Sequence, residues 1–342
     1  MKVNEFPNRK ISVNNEPYLY FGGTSYLGMA SNTEFQKNIF EGLKKWGTFY
    51  GSSRNANIKL AIYEEAENYF SNFLGSEDSL TTSSGTLAGK IVIDYLSKTT
   101  QKFFHYPKTH PAVLHPNSLS LFLNGKLHPL LQNDISEDIV ITVDAILALE
   151  TQPTSFDFLD AISPQKKITL VIDESHSLGI IGKHGRGIFS SINSNKLNRK
   201  ILISSLGKAF GISGGIIASD KDFINEISAE PIFISSSGAN PAYLEAFLKS
   251  NNLYKNQRKQ LFNNLDFLEN ALKPNDNNNN YQFNKKYPVI YSTSDVLHEK
   301  LLQNNIIIAR FKYPTYESYM NRIVITANHT KNDLKKLSNL IN

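Results

Sequence analysis

Two hydrophobic rhythms divide the chain. Between Phe35 and Trp46 apolar side chains recur at three- and four-residue steps (Phe35, Ile39, Leu43, Trp46). That spacing predicts an amphipathic helix, entered at Thr33, a residue able to cap it. A second helix is predicted from about Lys59 to Phe73, with Ile62, Ala66, Tyr69, Phe70 and Phe73 on one face and Gly75 at its end. The pattern then shortens. "DSLTTSSGTLAGKIVIDYL" reads as strand, Ser/Gly turn and helix, and "EDIVITVDAI", "KKITLVIDES", "RKILISSL" and "GGIIASD" are short β-branched runs ending in polar residues. Strands with so few polar positions suit a sheet covered on both faces.

From about Pro241 to Leu272 the helical period returns and predicts one long helix. "KPNDNNNNYQF" reads as a low-complexity surface loop. After it come two strand-like runs around a helix over 295–304, "NRIVITA", and a last helix from Lys331. The N-terminal residues read as an arm with one extended piece, Tyr18 to Phe21, before the turn at Gly22-Gly23. The expected architecture is α/β. An arm (1–35) precedes a large domain (36–240) around a mostly parallel sheet and a small C-terminal α/β domain (241–342).

Composition narrows the function. The 342 residues are 40% hydrophobic and 20% charged, with a net charge of +5, the profile of an ordinary globular protein. Basic residues are scattered, without the dense Lys/Arg run that marks a nucleic-acid binder. With no cysteine, disulfide scaffolds, thiolate zinc sites and Cys nucleophiles are excluded. A secretory leader and a membrane-spanning run are not recognisable, so a soluble cytoplasmic protein is expected. The dinucleotide loop, the P-loop, H-E-x-x-H and G-x-S-x-G are absent from the sequence, and no metal site is expected.

The chemistry sits at strand ends, where α/β sheets bind ligands. "TLVIDESHSLG" delivers Asp173 and His176, "ILISSLGKAFG" delivers Lys208 among small polar residues, and "LTTSSGTLAG" opens a helix at Gly85-Thr86. An amine, an acid and an anion-binding helix start together match the needs of pyridoxal 5'-phosphate. Lys208 can condense with the aldehyde. Asp173 can hold the proton on the pyridine nitrogen. The amides of Gly85 and Thr86, the Thr86 hydroxyl and Ser205 can hold the phosphate.

On these residues the chain resembles the α-oxoamine synthase family of fold-type I pyridoxal-phosphate enzymes. "DESHSLGIIGKHGRG" (173–187) resembles the family's D-E-A-H-S-x-G-x-x-G-x-x-G-R-G, and "SLGKAFGISGG" (205–215) its lysine motif. "SYLGMAS", "SSGTLAG" and "TANHT" resemble further family segments in the same order. General similarity leans toward the 8-amino-7-oxononanoate synthase branch. The resemblance implies a homodimer that condenses a small amino acid with an acyl thioester, with decarboxylation, to an α-amino ketone. It implies that Lys208 bonds the cofactor and moves the substrate Cα proton, that Asp173 pairs with the ring nitrogen, and that His176 bonds the phenolic oxygen. It further implies that His110 stacks on the ring and Arg322 grips the substrate carboxylate. It also implies that Ser236 reaches the phosphate from the second subunit.

Departures from the family lie on the substrate side. Thr24 replaces an Asn, Phe49 and Tyr50 replace small residues, and Tyr106 stands where an Asp precedes the stacking His. An aminotransferase, or a non-catalytic partner subunit keeping the fold, remain alternative readings at this point.

Overall fold

The computed structural model describes residues 1–193, 195–272, 281–292, 294–312 and 319–342. The chain opens with a hairpin, β1 (Lys10–Val13) and β2 (Glu16–Phe21), followed by α1 (Thr33–Trp46) and α2 (Ala61–Leu74). Next come β3 (Asp78–Thr82), α3 (Gly85–Leu96) and four short strands: β4 (Phe103–His105), β5 (Leu119–Ser120), β6 (Phe122–Leu123) and β7 (Lys126–Leu127). Four longer strands follow: β8 (Glu137–Asp144), β9 (Lys166–Asp173), β10 (Leu197–Ser205) and β11 (Gly215–Ser219). Helices α4 (Lys221–Ser228), α5 (Pro231–Ser235), α6 (Pro241–Lys249) and α7 (Asn251–Ala271) lead to β12 (Tyr281–Asn284) and β13 (Tyr287–Ser292). Helix α8 (Asp295–Gln303), β14 (Ile306–Phe311), β15 (Met320–Val324) and α9 (Lys331–Ile341) complete the chain.

Seven strands form one sheet in the order β3-β11-β10-β9-β8-β4-β5. Strands β10, β9, β8, β4 and β5 run parallel, and β11 is antiparallel to both its neighbours. The all-apolar strands divide their side chains between two cores, as the two-residue period of a strand requires. Val140, Val171, Ile201, Ile203 and Ile217 pack with Ile91 and Val92 of α3 and Phe223 and Ile227 of α4. Ile139, Ile141, Leu170, Ile172, Leu202 and Ile216 face the opposite core, with Phe70 of α2 and Leu244 of α6. Full burial of each such side chain stabilises the fold by about 1.5–3 kcal/mol.

A second sheet runs β1-β2-β14-β15-β13-β12. The predicted extended piece at Tyr18–Phe21 therefore belongs to a sheet: Leu19 to Phe21 pair in parallel with Ile306 to Ile308. Arg9 clamps the hairpin to α9 through both carboxylate oxygens of Asp333, at 2.9 and 2.8 Å.

The cap of α1 is Asn32, whose side chain accepts from Glu34 N and Phe35 N; Thr33 is the first helical residue. The predicted helix from Pro241 to Leu272 is two helices. At Ser250 the hydroxyl donates back to Ala246 O at 2.7 Å while accepting from the Asn38 amide, and the chain turns there. Of the Asn-rich loop reading, residues 273–280 lie outside the described residues, and Tyr281 to Phe283 are in β12. Among the described residues no helix is long and apolar enough to cross a membrane.

Candidate active site

Three carboxyl-terminal strand ends and one helix start converge. Asp144 and Asp173 end β8 and β9 and face each other in the parallel register. Both are buried. Asp173 Oδ1 accepts from Ser175 N at 2.8 Å. Asp144 Oδ1 accepts from the backbone N–H of His110 at 3.1 Å, which fixes the start of the short 3-10 turn Pro111–Val113 that His110 caps. Burial and the neighbouring Asp173 charge push the Asp144 carboxyl well above the usual carboxylate range, favouring its protonated form.

Lys208 follows the end of β10 and lies within the field of both acids. Burial pulls its ammonium down to about 8, assisted by the Arg322 charge and opposed by Asp173 and Asp144. Near-neutral pH therefore leaves an appreciable share of free amine, the form that attacks a carbonyl. Burial also lowers the His110 imidazole, with Lys208 acting in the same direction and Asp173 against it.

The helix start is pressed against the end of β10. A Cβ on Gly85 would lie 2.7 Å from both Cα and N of Ser205, so only glycine permits this approach. Ser84 accepts from Leu87 N through its side chain and from Ala88 N through its carbonyl. The N–H groups of Gly85 and Thr86 have no partner among the described residues, and the Thr86 side chain is exposed beside them. Ser205 presents its hydroxyl, which accepts from Gly207 N, while Ser205 N donates to Ser175 Oγ at 2.8 Å. Free amides on a helix start, beside a hydroxyl, form an anion cradle.

Arg322, on β15, is buried, and no carboxylate among the described residues pairs with it. Its Nη2 donates to Tyr26 Oη at 2.6 Å, and its buried Nε has no partner among the described residues. Burial disfavours the charge, yet the oxygens of Tyr26, Tyr291 and Tyr287 outweigh it and hold the group above its ordinary value. Tyr26 is fully buried and also meets His176 Nδ1 at 2.8 Å and Tyr287 Oη at 3.1 Å. Tyr26 Oη accepts from Arg322, and its single proton serves either His176 Nδ1 or Tyr287 Oη while the other group donates to it, so all three contacts are satisfied. His176 favours its neutral form in either arrangement. Burial first, then the charges of Lys208 and Arg322, push it well below the usual imidazole value.

The structure thus brings Lys208, Asp173, His110, His176 and Arg322 into one electrostatic cluster, with Gly85, Thr86 and Ser205 forming the adjoining cradle. Thr24 contributes its carbonyl, which accepts from Tyr26 N at 2.9 Å; the side chain reaching the cluster from this segment is Tyr26. The Ser236 hydroxyl donates to Phe233 O at 3.0 Å, at the end of α5. Sequence reasoning passed over Tyr26, Tyr287 and Asp144. Tyr26 lies within "SYLGMAS" and Asp144 is a strand-end acid, so both signals were present.

A family model described as aminotransferase class I and II matches residues 154–341, more than half of the chain. A putative 8-amino-7-oxononanoate synthase of Methanococcus vannielii is 28% identical, over 96% of this chain and 92% of the relative. The 8-amino-7-oxononanoate synthase of Petrotoga mobilis is 26% identical, over 95% of this chain and 87% of its own length. Among solved structures, Sphingomonas wittichii serine palmitoyltransferase superposes with a TM-score of 0.82 at 15% identity, covering 99% of this chain and 90% of its own. The 8-amino-7-oxononanoate synthase of Francisella tularensis gives a TM-score of 0.69 at 24% identity, over 95% of this chain and 96% of its own. The fold is that of the fold-type I enzymes.

Proposed function

We propose, for a chain that belongs to the aminotransferase class I and II family, a pyridoxal-5'-phosphate-dependent acyltransferase of the α-oxoamine synthase type. It condenses a small amino acid with an acyl thioester, releases carbon dioxide and forms an α-amino ketone, as the names of its relatives indicate. The observation that carries this reading is Arg322, a buried cation that no carboxylate among the described residues pairs with, in the electrostatic field of Lys208. A substrate carboxylate would supply the missing partner, in the bidentate manner a guanidinium favours.

The residues present fit the cofactor: the Gly85–Ser205 approach leaves a cradle that a Cβ would fill, with free amides for a phosphate. Lys208 would hold the aldehyde, Asp173 the ring nitrogen, and Gly85, Thr86 and Ser205 the phosphate, with His110 covering the ring and His176 bonding its phenolic oxygen. When bound, the cofactor supplies an electron sink for charge developing at the substrate Cα. Arg322 fixes the amino acid through its carboxylate. Lys208, with its depressed basicity, takes the Cα proton and returns it. Asp173 would face the ring nitrogen, beside an Asp144 whose carboxyl burial and the Asp173 charge push toward its protonated form. Tyr26 positions Arg322 and His176 together.

We further propose a cytoplasmic homodimer with Ser236 reaching the partner's site, and retain the division at residues 35 and 240. The exposed side chains of Phe49, Ile58 and Ile234 support a subunit contact on this face. The test is incubation with cofactor, alanine and an acyl-CoA. The protein has no cysteine, so a thiol reagent reads only released CoA. Thiol release, a visible cofactor band, and loss of both in Lys208→Ala are expected. Accumulation of pyridoxamine phosphate without thiol would replace condensation by transamination.

A further inference from the structure

A cavity of about 590 Å³ lies between α2, α6, α7 and the loop 179–186. Its volume is that of a small-molecule site. Its floor is aromatic: Phe210 packs edge-on against Phe73, Phe247 and Tyr254 at 6.4, 5.1 and 5.4 Å between ring centroids. Its rim is cationic. Arg186, Lys255, Arg258 and Lys259 line it, and no described carboxylate does.

These cations differ in what holds them. Arg258 is spent on the scaffold, donating to Ile180 O at 3.1 and 2.9 Å and to Gly182 O at 3.2 Å while stacking on Phe262. Lys255 and Lys259 make no hydrogen bond or ion pair with any described residue and stand one helical turn apart on α7. Arg186 is half-buried, and its buried Nε has no partner among the described residues; its guanidinium sits 6.0 Å from the Phe73 ring. A buried N–H donor left unpaired, as the Nε of Arg186 is, is costly until an acceptor completes it. Apolar walls with an acid-free cationic rim describe a ligand that is itself divided, an apolar body bearing an anionic head.

We propose that this cavity is a second ligand site, separate from the Lys208 cluster, for an organic anion with an aromatic or alkyl body. The body rests on Phe73, Phe210 and Phe247. The anionic head meets Arg186, Lys255 and Lys259. The cavity also takes Leu27, Gly179 and Phe210 from the three segments that carry Tyr26, His176 and Lys208, while none of those three lines it. Two of these segments touch: a Cβ on Gly179, at φ +87°, would lie 2.6 Å from Ala209 Cβ. This site stands independently of the proposed reaction.

The experiment titrates the cofactor-loaded protein with 8-anilinonaphthalene-1-sulfonate, which carries an aromatic body and one anionic head. Saturable binding at one site is expected, weakened about tenfold by Lys255→Ala with Lys259→Ala, the loss due to two charged contacts. Arg186→Gln is the second variant, with the cofactor band and unfolding midpoint showing that it is folded. Displacement by decanoate identifies an acyl carboxylate as the natural chemistry; displacement by ATP identifies a phosphorylated aromatic. Displacement by neither, equal displacement by inorganic phosphate alone, or affinity unchanged in the variants would overturn the proposal.

Discussion

Removing one oxygen, in Tyr26→Phe, tests how the two halves of the active site are joined. The hydroxyl accepts a charge-assisted bond from Arg322 at 2.6 Å and meets His176 Nδ1 at 2.8 Å and Tyr287 at 3.1 Å. Phenylalanine keeps the packing, since the ring is fully buried. Arg322 then has both Nη2 and Nε without a partner among the described residues. A lost hydrogen bond to a charged group costs about 1.5–3 kcal/mol, and the stranded imidazole nitrogen adds roughly 1 kcal/mol. The expected destabilisation is about 3 kcal/mol, read as a lowered urea midpoint with an unchanged slope. Tyr287→Phe is the control: it removes one neutral contact, worth about 1 kcal/mol. Catalysis separates the variants further. A misaligned Arg322 raises KM for the amino acid about tenfold in Tyr26→Phe, each tenfold being about 1.4 kcal/mol. The cofactor band, which the proposed roles assign to Lys208 and Asp173, stays. If the two variants lose equal stability and keep the same KM, Tyr26 is packing alone and the hub described above is wrong.

Three further outcomes follow from the geometry. Capture of added pyridoxal phosphate by the stripped protein quickens as pH rises through about 8, where the Lys208 ammonium gives up its proton; a pH-independent rate would refute this. Gly85→Ala brings a Cβ within 2.7 Å of the Ser205 backbone, so cofactor affinity falls about tenfold or more for an overpacking cost of about 1–3 kcal/mol; equilibrium dialysis showing native affinity would contradict the cradle. Thr326 N donates to Nδ1 of His329, whose Nε2 faces Tyr20 O, and the ring stacks on Phe21 at 4.0 Å. Burial there lowers its pKa from 6.5 to about 4. A depressed pKa gives stability that is complete above 6.5 and disappears as pH falls toward 4, in total about 3 kcal/mol; His329→Gln should lower the midpoint at neutral pH and flatten the acid slope, and an unchanged slope would sink the assignment.

The strand-end motifs could be read because their chemistry is local: Lys208 with its Ser and Gly neighbours, and Asp173 with His176, lie within short runs. The paired acids could not. Asp144 is an ordinary strand-end Asp until β8 and β9 align and set it opposite Asp173. Tyr26 was inside a segment already singled out, yet its value depends on Arg322, which is distant in sequence and becomes its neighbour through the second sheet. The same sheet explains why an extended N-terminal piece could not be distinguished from a paired strand. At Ser250 the helical period continues without interruption, and a side-chain bond to Ala246 O with a tertiary contact from Asn38 ends α6. Each miss is a long-range pairing or a competing side-chain bond, which periodicity does not encode.

The second sheet also sets an order of assembly. All strands of the seven-stranded sheet lie between Asp78 and Ser219, so a growing chain could complete that sheet well before translation ends. The leading hairpin must wait for β14 and β15, among the last segments to emerge. A nascent chain could therefore present the lysine and the phosphate cradle while Tyr26 still lacked its arginine. On the proposed roles of Lys208 and Arg322, the cofactor side of the site would take shape before the carboxylate side, and a chain stalled short of residue 322 would lack the group proposed to select the substrate.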